Sequence, residues 1–295
     1  LRFLAAAGWL CACAALPSTP SWAASRVLVH GHRGCRGALP ENTLAAFREA
    51  LQAGADVLEL DLNVTKDGVV VVSHDQRIDP ALCLAPGGKP AGRPPLQSLT
   101  YDEVRGYDCG SLKNPRFPRQ VPVPGERIPS LAEVFRLVKD STAPAASAVE
   151  FNIETKIVPG EPDLSPEPAE FARLVLAVVR DFGWESRVIV QSFDRRTLAQ
   201  VRRLEPRVRT SMLISDNLPD LAAVAAAEKA AILSPNALWL TREDVEALHR
   251  LGVQVAPWTV NDERGWSAML ALGVDAIITD YPRELIAYLK KRGLR

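Results

Sequence analysis

Ionisable side chains are concentrated in a few short segments of this 295-residue chain. The segment HGHRGCRGALPENT, residues 30–43, places His30, His32, Arg33 and Glu41 directly after a strand-like apolar run and before an amphipathic helix. Burying so many ionisable groups is unfavourable unless they are paired or used. The segment therefore indicates a site at which other charged groups converge.

Carboxylates follow two further strand-like runs. Because side chains two apart share one face of a strand, VLELDLNVT places Glu59 beside Asp61, and FNIETKI places Glu154 beside Lys156. Three carboxylates cannot all be buried and ionised together without counter-charge. All-oxygen ligation is typical of Ca²⁺ or Mg²⁺ rather than Zn²⁺. We predict one such divalent cation on Glu59, Asp61 and Glu154; the alternative is that they form ion pairs with Arg33 and Lys156.

Two histidines are candidates for proton transfer. Histidine titrates near neutral pH, so His32 and His74 could serve as a general acid and a general base. The basic groups of Arg33 and Lys156 suit a phosphate, since a guanidinium can bind two phosphate oxygens at once. Together with a cation, these groups indicate phosphoryl chemistry, in which positive charge stabilises the transition-state oxygens.

Strand-like and helical patterns alternate along the remainder of the chain, which predicts a (β/α)8 TIM-type barrel. The eight candidate parallel strands are RVLVHGHR, VLELDLNVT, FNIETKI, RVIVQSFD, VRTSMLIS, AAILS, VQVAPWTV and VDAIITD. The predicted site residues lie towards the C-terminal ends of these strands, which is the end where barrels build active sites.

One further strand does not fit the parallel pattern. VVVVSHD follows LNVT after only KDG, and Asp-Gly is a hairpin signal, whereas a parallel crossover needs a dozen residues or more. Residues 69–75 should therefore run antiparallel to the end of the second strand and bring His74 to the mouth of the barrel. Residues 76–129, rich in proline and glycine, read as an insertion that forms a lid or is mobile.

Composition and the N-terminus limit the function classes. Lys and Arg total 35, as do Asp and Glu, so no whole-chain field favours nucleic acid or an anionic membrane. Residues 1–23 match a secretory signal peptide, followed by a barrel domain over 24–295 in the periplasm or outside the cell. Alternatives are a membrane-anchoring helix and a lipid attached at Cys13. The apolar run is short for a membrane span, so we expect no stable membrane insertion after the leader is removed.

Export changes the interpretation of the cysteines. Removal of the leader leaves Cys35, Cys83 and Cys109. Cys83 and Cys109 flank one polar, proline-rich segment and could form a disulfide, which would leave Cys35 as the odd thiol. The alternative is three free thiols, because the sequence does not supply the geometry that a disulfide requires.

The ordered motifs HRGCRGALPENT, ELDLNVTKDGVVVVSHD and NIETK resemble those of the glycerophosphodiester phosphodiesterase family. The weaker motifs QSFD, PWTVN and AIITDYP follow in the same order, so the resemblance extends from about Val27 to the C-terminal helix. It implies a barrel enzyme that performs metal-dependent hydrolysis of small glycerophosphodiesters to sn-glycerol 3-phosphate and an alcohol.

The resemblance also implies roles for individual residues. It makes His32 and His74 the acid/base pair. The remaining roles are metal ligation by Glu59, Asp61 and Glu154, and substrate binding by Arg33, Lys156 and Trp258. Trp258 would form an apolar wall for the glycerol, although a core tryptophan is an equal alternative, and the same holds for Phe193.

Three neighbouring positions receive other interpretations. We expect Asn42 to cap the following helix and Glu41 to stand behind the site residues. His30 departs from the family, which usually has an apolar residue there, and we expect a partly buried histidine with satisfied hydrogen bonds.

Several alternatives stay open at this point. The nearest is a lysophospholipase D-type enzyme, or one acting on other phospholipid head groups such as glycerophosphoinositol. A non-catalytic binding protein for phosphate esters and a metal-dependent barrel lyase or isomerase are more distant. The sequence does not decide the head group, the choice between Ca²⁺ and Mg²⁺, the oligomeric state, which histidine is the acid, or whether water or the glycerol 2-hydroxyl attacks.

Overall fold

Eight parallel strands form a nearly closed barrel in the computed structural model, which describes residues 26–295. They are β1 (Leu28–Gly31), β2 (Val57–Val64), β6 (Glu150–Thr155), β7 (Val188–Ser192), β8 (Arg209–Ile214), β9 (Ile232–Pro235), β10 (Gln254–Val255) and β11 (Ala276–Thr279). Three short antiparallel strands complete the set: β3 (Val70–Val72), β4 (Leu84–Ala85) and β5 (Lys89–Pro90). The predicted (β/α)8 TIM-type fold is confirmed. The predicted leader, residues 1–23, lies outside the described residues.

The strand order around the barrel is β10-β9-β8-β7-β6-β2-β1-β11. Between β10 and β11 the ladder is replaced by separate backbone hydrogen bonds, including Asp275 N–H to the Val255 carbonyl and Ile278 N–H to the Pro257 carbonyl, each 3.0 Å. β10 is short, and Pro257, which follows it, has no backbone N–H to extend a ladder. These bonds bring the last strand back beside β10 and so close the mouth around the site.

Nine α-helices accompany the strands within residues 26–295. They are α1 (Leu44–Ala53), α2 (Tyr101–Val104), α3 (Leu131–Lys139), α4 (Pro168–Phe182), α5 (Arg195–Leu204), α6 (Leu221–Glu228), α7 (Arg242–Arg250), α8 (Glu263–Leu272) and α9 (Pro282–Lys291). In this part of the chain, no helix combines the length and the apolar character that crossing a membrane requires.

The cap of α1 differs from the prediction. Thr43, not Asn42, occupies the N-cap, and its hydroxyl accepts a hydrogen bond from Ala46 N–H at 3.2 Å. Both residue types are good caps, so the pair Asn-Thr does not by itself show which one ends the loop. The side chain of Asn42 is thereby available for the site.

Alternation along each strand separates the core from the barrel interior. On β2, Leu58, Leu60 and Leu62 pack in an apolar core with residues of α1, α3 and α4. The intervening Glu59 and Asp61 are also buried, on the opposite face. A small apolar cluster lies within the barrel, formed by Leu28, Ile189, Ile232, Ala256 and Ala276. The outward faces of the strands therefore pack against the helices, while the interior face carries both this apolar cluster and the buried acids.

The β2–β3 hairpin and the inserted segment that follows it are both present as predicted. β3 pairs antiparallel with β2, with Val64 opposite Val70. Residues 76–129 contain the β4–β5 hairpin and α2, and they pack around their own small core, which includes Ile78, Leu96 and Val104. Cys83 and Cys109 form a disulfide within it, and Cys35 is a free, buried cysteine. The insertion is thus a folded unit attached beside the barrel mouth.

Candidate active site

Three buried carboxylates meet at the C-terminal ends of β2 and β6. The register of these strands pairs Asp61 with Glu154, and Glu59 with Asn152. One carboxylate oxygen from each of Glu59, Asp61 and Glu154 lies within 4.8 Å of the others. The sequence prediction that these acids converge is therefore reproduced in the structure.

Two basic side chains contact this triad. Lys156 Nζ lies 2.7 Å from Glu154 Oε1 and 3.1 Å from Asp61 Oδ1, and Arg33 Nε lies 3.1 Å from Asp61 Oδ2. Burial alone would raise the pKa of Asp61, but Lys156 and Arg33 outweigh it and hold that pKa well below its usual range. The ion pairs that were the alternative to a metal are therefore present. However, the two basic side chains, Lys156 and Arg33, are set against three carboxylates.

Glu59 is the carboxylate with the least compensation. Its Oε2 accepts a hydrogen bond from Arg33 N–H at 2.9 Å, and its Oε1 accepts one from Gln191 Nε2 at 2.8 Å. Burial and the neighbouring charge of Asp61 raise its pKa well above the usual range. Glu59 is thus held in place by two neutral donors, a backbone N–H and a side-chain amide.

These observations test whether a cation fits. The triad offers only oxygen ligands, its members are buried, and it has one negative charge more than its two basic neighbours can neutralise. Hard divalent cations such as Ca²⁺ and Mg²⁺ take this donor set. The residues therefore fit a divalent cation, and the donor chemistry alone does not select between the two metals.

His32 lies immediately after β1 and is fixed by a buried carboxylate. Its Nδ1 is 2.7 Å from Asp280 Oδ1, and its Nε2 is 3.9 Å from Glu59 Oε2. Asp280 also accepts hydrogen bonds from Arg36 Nε at 2.6 Å and Asn261 Nδ2 at 2.7 Å. Burial opposes ionisation of Asp280, but His32 and Arg36 outweigh it and lower the pKa of this carboxyl. The ionised Asp280 therefore places the Nδ1 proton and directs Nε2 to the site.

His74 reaches the mouth from the turn after β3, as predicted. Its Nδ1 lies 2.7 Å from Asp75 Oδ1, and this hydrogen bond lowers the pKa of Asp75. The side chain of His74 is 37 % exposed, whereas that of His32 is 10 % exposed. The two histidines thus share an arrangement with a carboxylate partner but differ in their access to solvent.

The loop between β1 and α1 places Arg33 in unusual backbone geometry. Arg33 has φ of 50° and Asn42 has φ of 57°, both in the left-handed region that non-glycine residues adopt rarely. Arg33 Nη1 donates to Glu41 Oε1 at 2.5 Å, and Asn42 Nδ2 donates to Asp61 Oδ2 at 2.9 Å. Glu41 and Asn42 therefore orient groups that reach the site, and Asn42 contacts Asp61 in place of the capping role expected for it.

Apolar side chains form the opposite wall of the pocket. Leu213, Phe193 and Trp258 line it together with the histidines. The rings of Phe193 and Trp258 meet edge to face with centroids 5.7 Å apart, and Trp258 Nε1 donates to the Ser234 carbonyl at 2.8 Å. Trp258 and Phe193 thus both line the pocket, and their contact with the glycerol stays a prediction.

His30, on β1, is wholly buried beneath the pocket. It is 2 % exposed, and its Nδ1 has no hydrogen-bond partner within residues 26–295. Burial lowers its pKa to about 4. The expectation of a partly buried, satisfied histidine was therefore wrong, because His30 lies on the same face of β1 as Leu28 and so points into the interior of the barrel.

Sequence reasoning missed Asp280, Gln191 and Asp75. Asp280 stands 248 residues after His32 in the chain, and its motif AIITDYP was noted only for its order. Gln191 lies in QSFD, which was noted in the same way. Strand-end position was the available signal for both, whereas Asp75 is simply the residue after His74.

Comparison with known proteins gives a consistent result. The model of the glycerophosphoryl diester phosphodiesterase family matches residues 32–284. A glycerophosphodiester phosphodiesterase of Caldanaerobacter subterraneus subsp. tengcongensis is 34% identical over 268 residues, which cover 91% of this chain and 100% of that protein.

Two solved structures share the fold. A crystal structure from Silicibacter pomeroyi DSS-3, described as a glycerophosphoryl diester phosphodiesterase, has a TM-score of 0.82 at 34% identity, covering 90% of this chain and 94% of that one. A phosphodiesterase of Oleispira antarctica, in complex with sn-glycerol-3-phosphate, has a TM-score of 0.74 at 23% identity, covering 89% and 96%. The second likeness concerns the fold alone.

Proposed function

Since the chain belongs to the glycerophosphoryl diester phosphodiesterase family and is a phosphoric diester hydrolase that produces glycerol 3-phosphate, we propose that it works with one divalent cation and two histidines. One observation carries the proposal. Glu59 and Glu154 of the carboxylate triad line one pocket at the barrel mouth together with Arg33, Lys156 and both histidines.

The phosphate would lie in the pocket beside the triad, within reach of the two basic side chains that contact it. Arg33 and Lys156 are held within 3.1 Å of Asp61, so their positions are defined before substrate arrives. Such preorganised donors stabilise the charge on the transition-state oxygens without reorganisation during the reaction. A divalent cation on Glu59, Asp61 and Glu154 would add positive charge at the non-bridging oxygens.

The hydrogen bonds of the histidines suggest a division of roles. Asp280 holds the proton of His32 on Nδ1, so Nε2 is free to accept a proton from the nucleophile as a new P–O bond forms. Asp75 contacts Nδ1 of the more exposed His74, so its Nε2 can give a proton to the leaving alcohol as the other P–O bond breaks. We propose His32 as the base and His74 as the acid.

Release of glycerol 3-phosphate from glycerophosphoethanolamine and glycerophosphocholine tests the metal requirement. Chelation should abolish product formation, and Ca²⁺ or Mg²⁺ should restore it. Calorimetric titration with each cation supplies a readout that does not depend on activity, and Glu154→Gln should weaken that binding. Full activity after chelation, with no calorimetric binding of either cation, would exclude the metal proposal.

The roles of the histidines can be separated by the leaving group. In the 4-nitrophenyl ester of glycerol 3-phosphate the leaving group is 4-nitrophenolate, which departs without protonation. His74→Ala should therefore lose much less activity on this ester than on glycerophosphoethanolamine. His32→Ala should lose activity equally on both substrates. The reverse pattern would exchange the assigned roles.

One observation favours lysophospholipids as a second class of substrate. Besides Phe193, exposed apolar side chains lie on the loops after β8 and β9, at the same end of the barrel: Leu218 is 89% exposed, Leu238 76% and Trp239 46%. An acyl chain on the glycerol could lie against these apolar side chains. Lysophosphatidylethanolamine and glycerophosphoethanolamine should be compared in wild type and in Leu238→Asp. Loss confined to the lysophospholipid would support the second function, and no turnover of it would exclude it.

The disulfide supports a location in an oxidising compartment, which we propose together with export. Disulfides persist mainly outside the reducing cytosol. The Cys83–Cys109 disulfide links two cysteines that are 26 residues apart within the insertion. Thiol labelling of protein taken directly from its native compartment tests this. Labelling of both cysteines without prior reduction would contradict the proposal.

A further inference from the structure

A second pocket opens beside the active-site pocket, and the proposed chemistry does not use it. It lies between the barrel and the insertion, and the β1–α1 loop and the turn after β3 form its barrel side. Among the described residues that line the two pockets, Arg33 and His74 are the ones they share. These two side chains therefore form the boundary between the pockets.

The position of His74 relates the second pocket to the reaction. The two ester arms of a tetrahedral phosphodiester diverge from the phosphorus. If the glycerol arm lies along Phe193 and Trp258, the other arm points away from them, towards the proposed acid His74. A leaving alcohol that receives its proton from His74 would then continue past this side chain into the second pocket.

The lining of the second pocket indicates what kind of alcohol fits. One wall is apolar, with Leu82, Leu112, Ile128 and the Cys83–Cys109 disulfide. No Phe, Tyr or Trp is among the lining residues, so a quaternary ammonium would find none of the ring faces that bind such cations. This lining favours a small head group over a bulky trimethylammonium.

Hydrogen-bond acceptors line the same pocket. Asp79 is partly buried, and it makes no ion pair within 4 Å among residues 26–295. One oxygen, Oδ1, accepts Ala81 N–H at 2.9 Å. Asn42 Oδ1 is also without a partner in that part of the chain, and Asp75 stands beside His74. A primary ammonium carries three N–H donors that match such acceptors.

Two arginines, Arg116 and Arg127, also line the pocket. Both are exposed, so solvent and salt screen their charge more than that of the partly buried Asp79. The third acidic residue, Glu41, is already paired with Arg33. The less exposed part of the pocket therefore has unneutralised negative charge at Asp79.

We infer that the second pocket is the subsite for the leaving alcohol and that it prefers an alcohol with a primary ammonium group, such as ethanolamine, with Asp79 determining that preference. The inference rests on the proposed function. It assigns the insertion a role in substrate selection, since the insertion supplies Asp79 and the apolar wall.

The test compares kcat/KM for glycerophosphoethanolamine with that for glycerophosphoglycerol, whose leaving alcohol is neutral. Wild type should prefer the first substrate. Asp79→Asn keeps an oxygen for Ala81 N–H but removes the charge, so it should lower kcat/KM for glycerophosphoethanolamine about 10-fold and leave glycerophosphoglycerol unchanged. Asp102→Asn is the matched control, because Asp102 is exposed in the same insertion and is not among the lining residues.

A second variant tests the position of the subsite independently of charge. Leu112→Trp should fill the pocket and reduce turnover of glycerophosphoethanolamine, while the methyl ester of glycerol 3-phosphate, which does not reach the pocket, should still be hydrolysed. Equal loss on both substrates, or an unchanged substrate ratio in Asp79→Asn, would overturn the inference. Failure of the proposed function would look different, since wild type would then hydrolyse none of the diesters.

Discussion

The two halves of the barrel mouth carry opposite kinds of side chain. The charged half, from β1, β2, β6 and β11, comprises Arg33, Glu59, Asp61, Glu154, Lys156 and Asp280 with the histidine His32. The apolar half, from β7, β8 and the segment after β10, comprises Phe193, Leu213 and Trp258. Both halves use the same βα architecture, so the fold itself does not dictate which half is charged.

The difference shows how the mouth divides its tasks. Buried charges are tolerated in the charged half because each contacts an opposite charge or a hydrogen-bond donor, for example Lys156 with Asp61 and Gln191 with Glu59. Side chains of the apolar half make ring and van der Waals contacts and have no proton to exchange at pH 7. We therefore expect substitutions in the charged half to change kcat and those in the apolar half to change KM.

The largest effect is expected for His32→Ala. Loss of a general base typically costs about 10²- to 10⁴-fold in rate, and kcat should fall by that much without loss of the folded state. His249→Ala is the control, because His249 lies 2.9 Å from Asp275 at the N-terminal side of β11. A wild-type kcat in His32→Ala would show that His32 is not the general base.

The next effect is expected for Asp280→Asn, which keeps the shape but removes the charge that orients His32. Loss of a partner that orients a functional histidine should cost about 10- to 100-fold in kcat with KM nearly unchanged. Steady-state kinetics with glycerophosphoethanolamine measure this. A rise in KM at constant kcat would mean that Asp280 shapes the pocket and does not position His32.

A smaller effect is expected for Phe193→Ala in the apolar half. Loss of its edge-to-face contact with Trp258 should raise KM for glycerophosphoethanolamine about 2- to 10-fold and leave kcat nearly constant. The same assay as for Asp280→Asn permits a direct comparison of the halves. If Phe193→Ala lowered kcat as much as Asp280→Asn does, the proposed difference between the charged and the apolar half would be wrong.

The smallest effect on activity is expected below the mouth, at His30. Its pKa is lowered to about 4 by burial, whereas the unfolded chain has the ordinary value of 6.5. Above pH 6.5 His30 is neutral in both the folded and the unfolded state, so the stability that depends on its being neutral is fully present. As the pH falls towards 4, the unfolded state binds a proton that the folded state does not, and that contribution is lost.

His30→Leu should remove this pH dependence. The decrease in unfolding free energy between pH 7 and pH 4 should become smaller by about 3 kcal/mol, while activity at pH 7 is retained. Denaturant titrations at several pH values provide the measurement. An unchanged pH dependence would show that His30 has the same pKa in the folded and the unfolded state.

Much of the site could be read from local sequence. The alternation in VLELDLNVT puts Glu59 and Asp61 on one face whatever the fold, and the short KDG link forces the hairpin that carries His74. Errors arose where two local solutions were equally good. Asn42 and Thr43 can both cap a helix, and only the packed loop, with Asn42 bound to Asp61, decided for Thr43.

The amino-acid sequence by itself determined the element order, the parallel strands and the identity of the triad, because these depend on periodicity and on residue type within short segments. The tertiary structure alone decided the partners that lie far apart in the chain. Asp280 meets His32 only because β11 closes next to β1, and Gln191 meets Glu59 only across β6. The second pocket likewise exists only where the folded insertion rests on the barrel. Such contacts depend on closure of the barrel, which no local pattern encodes.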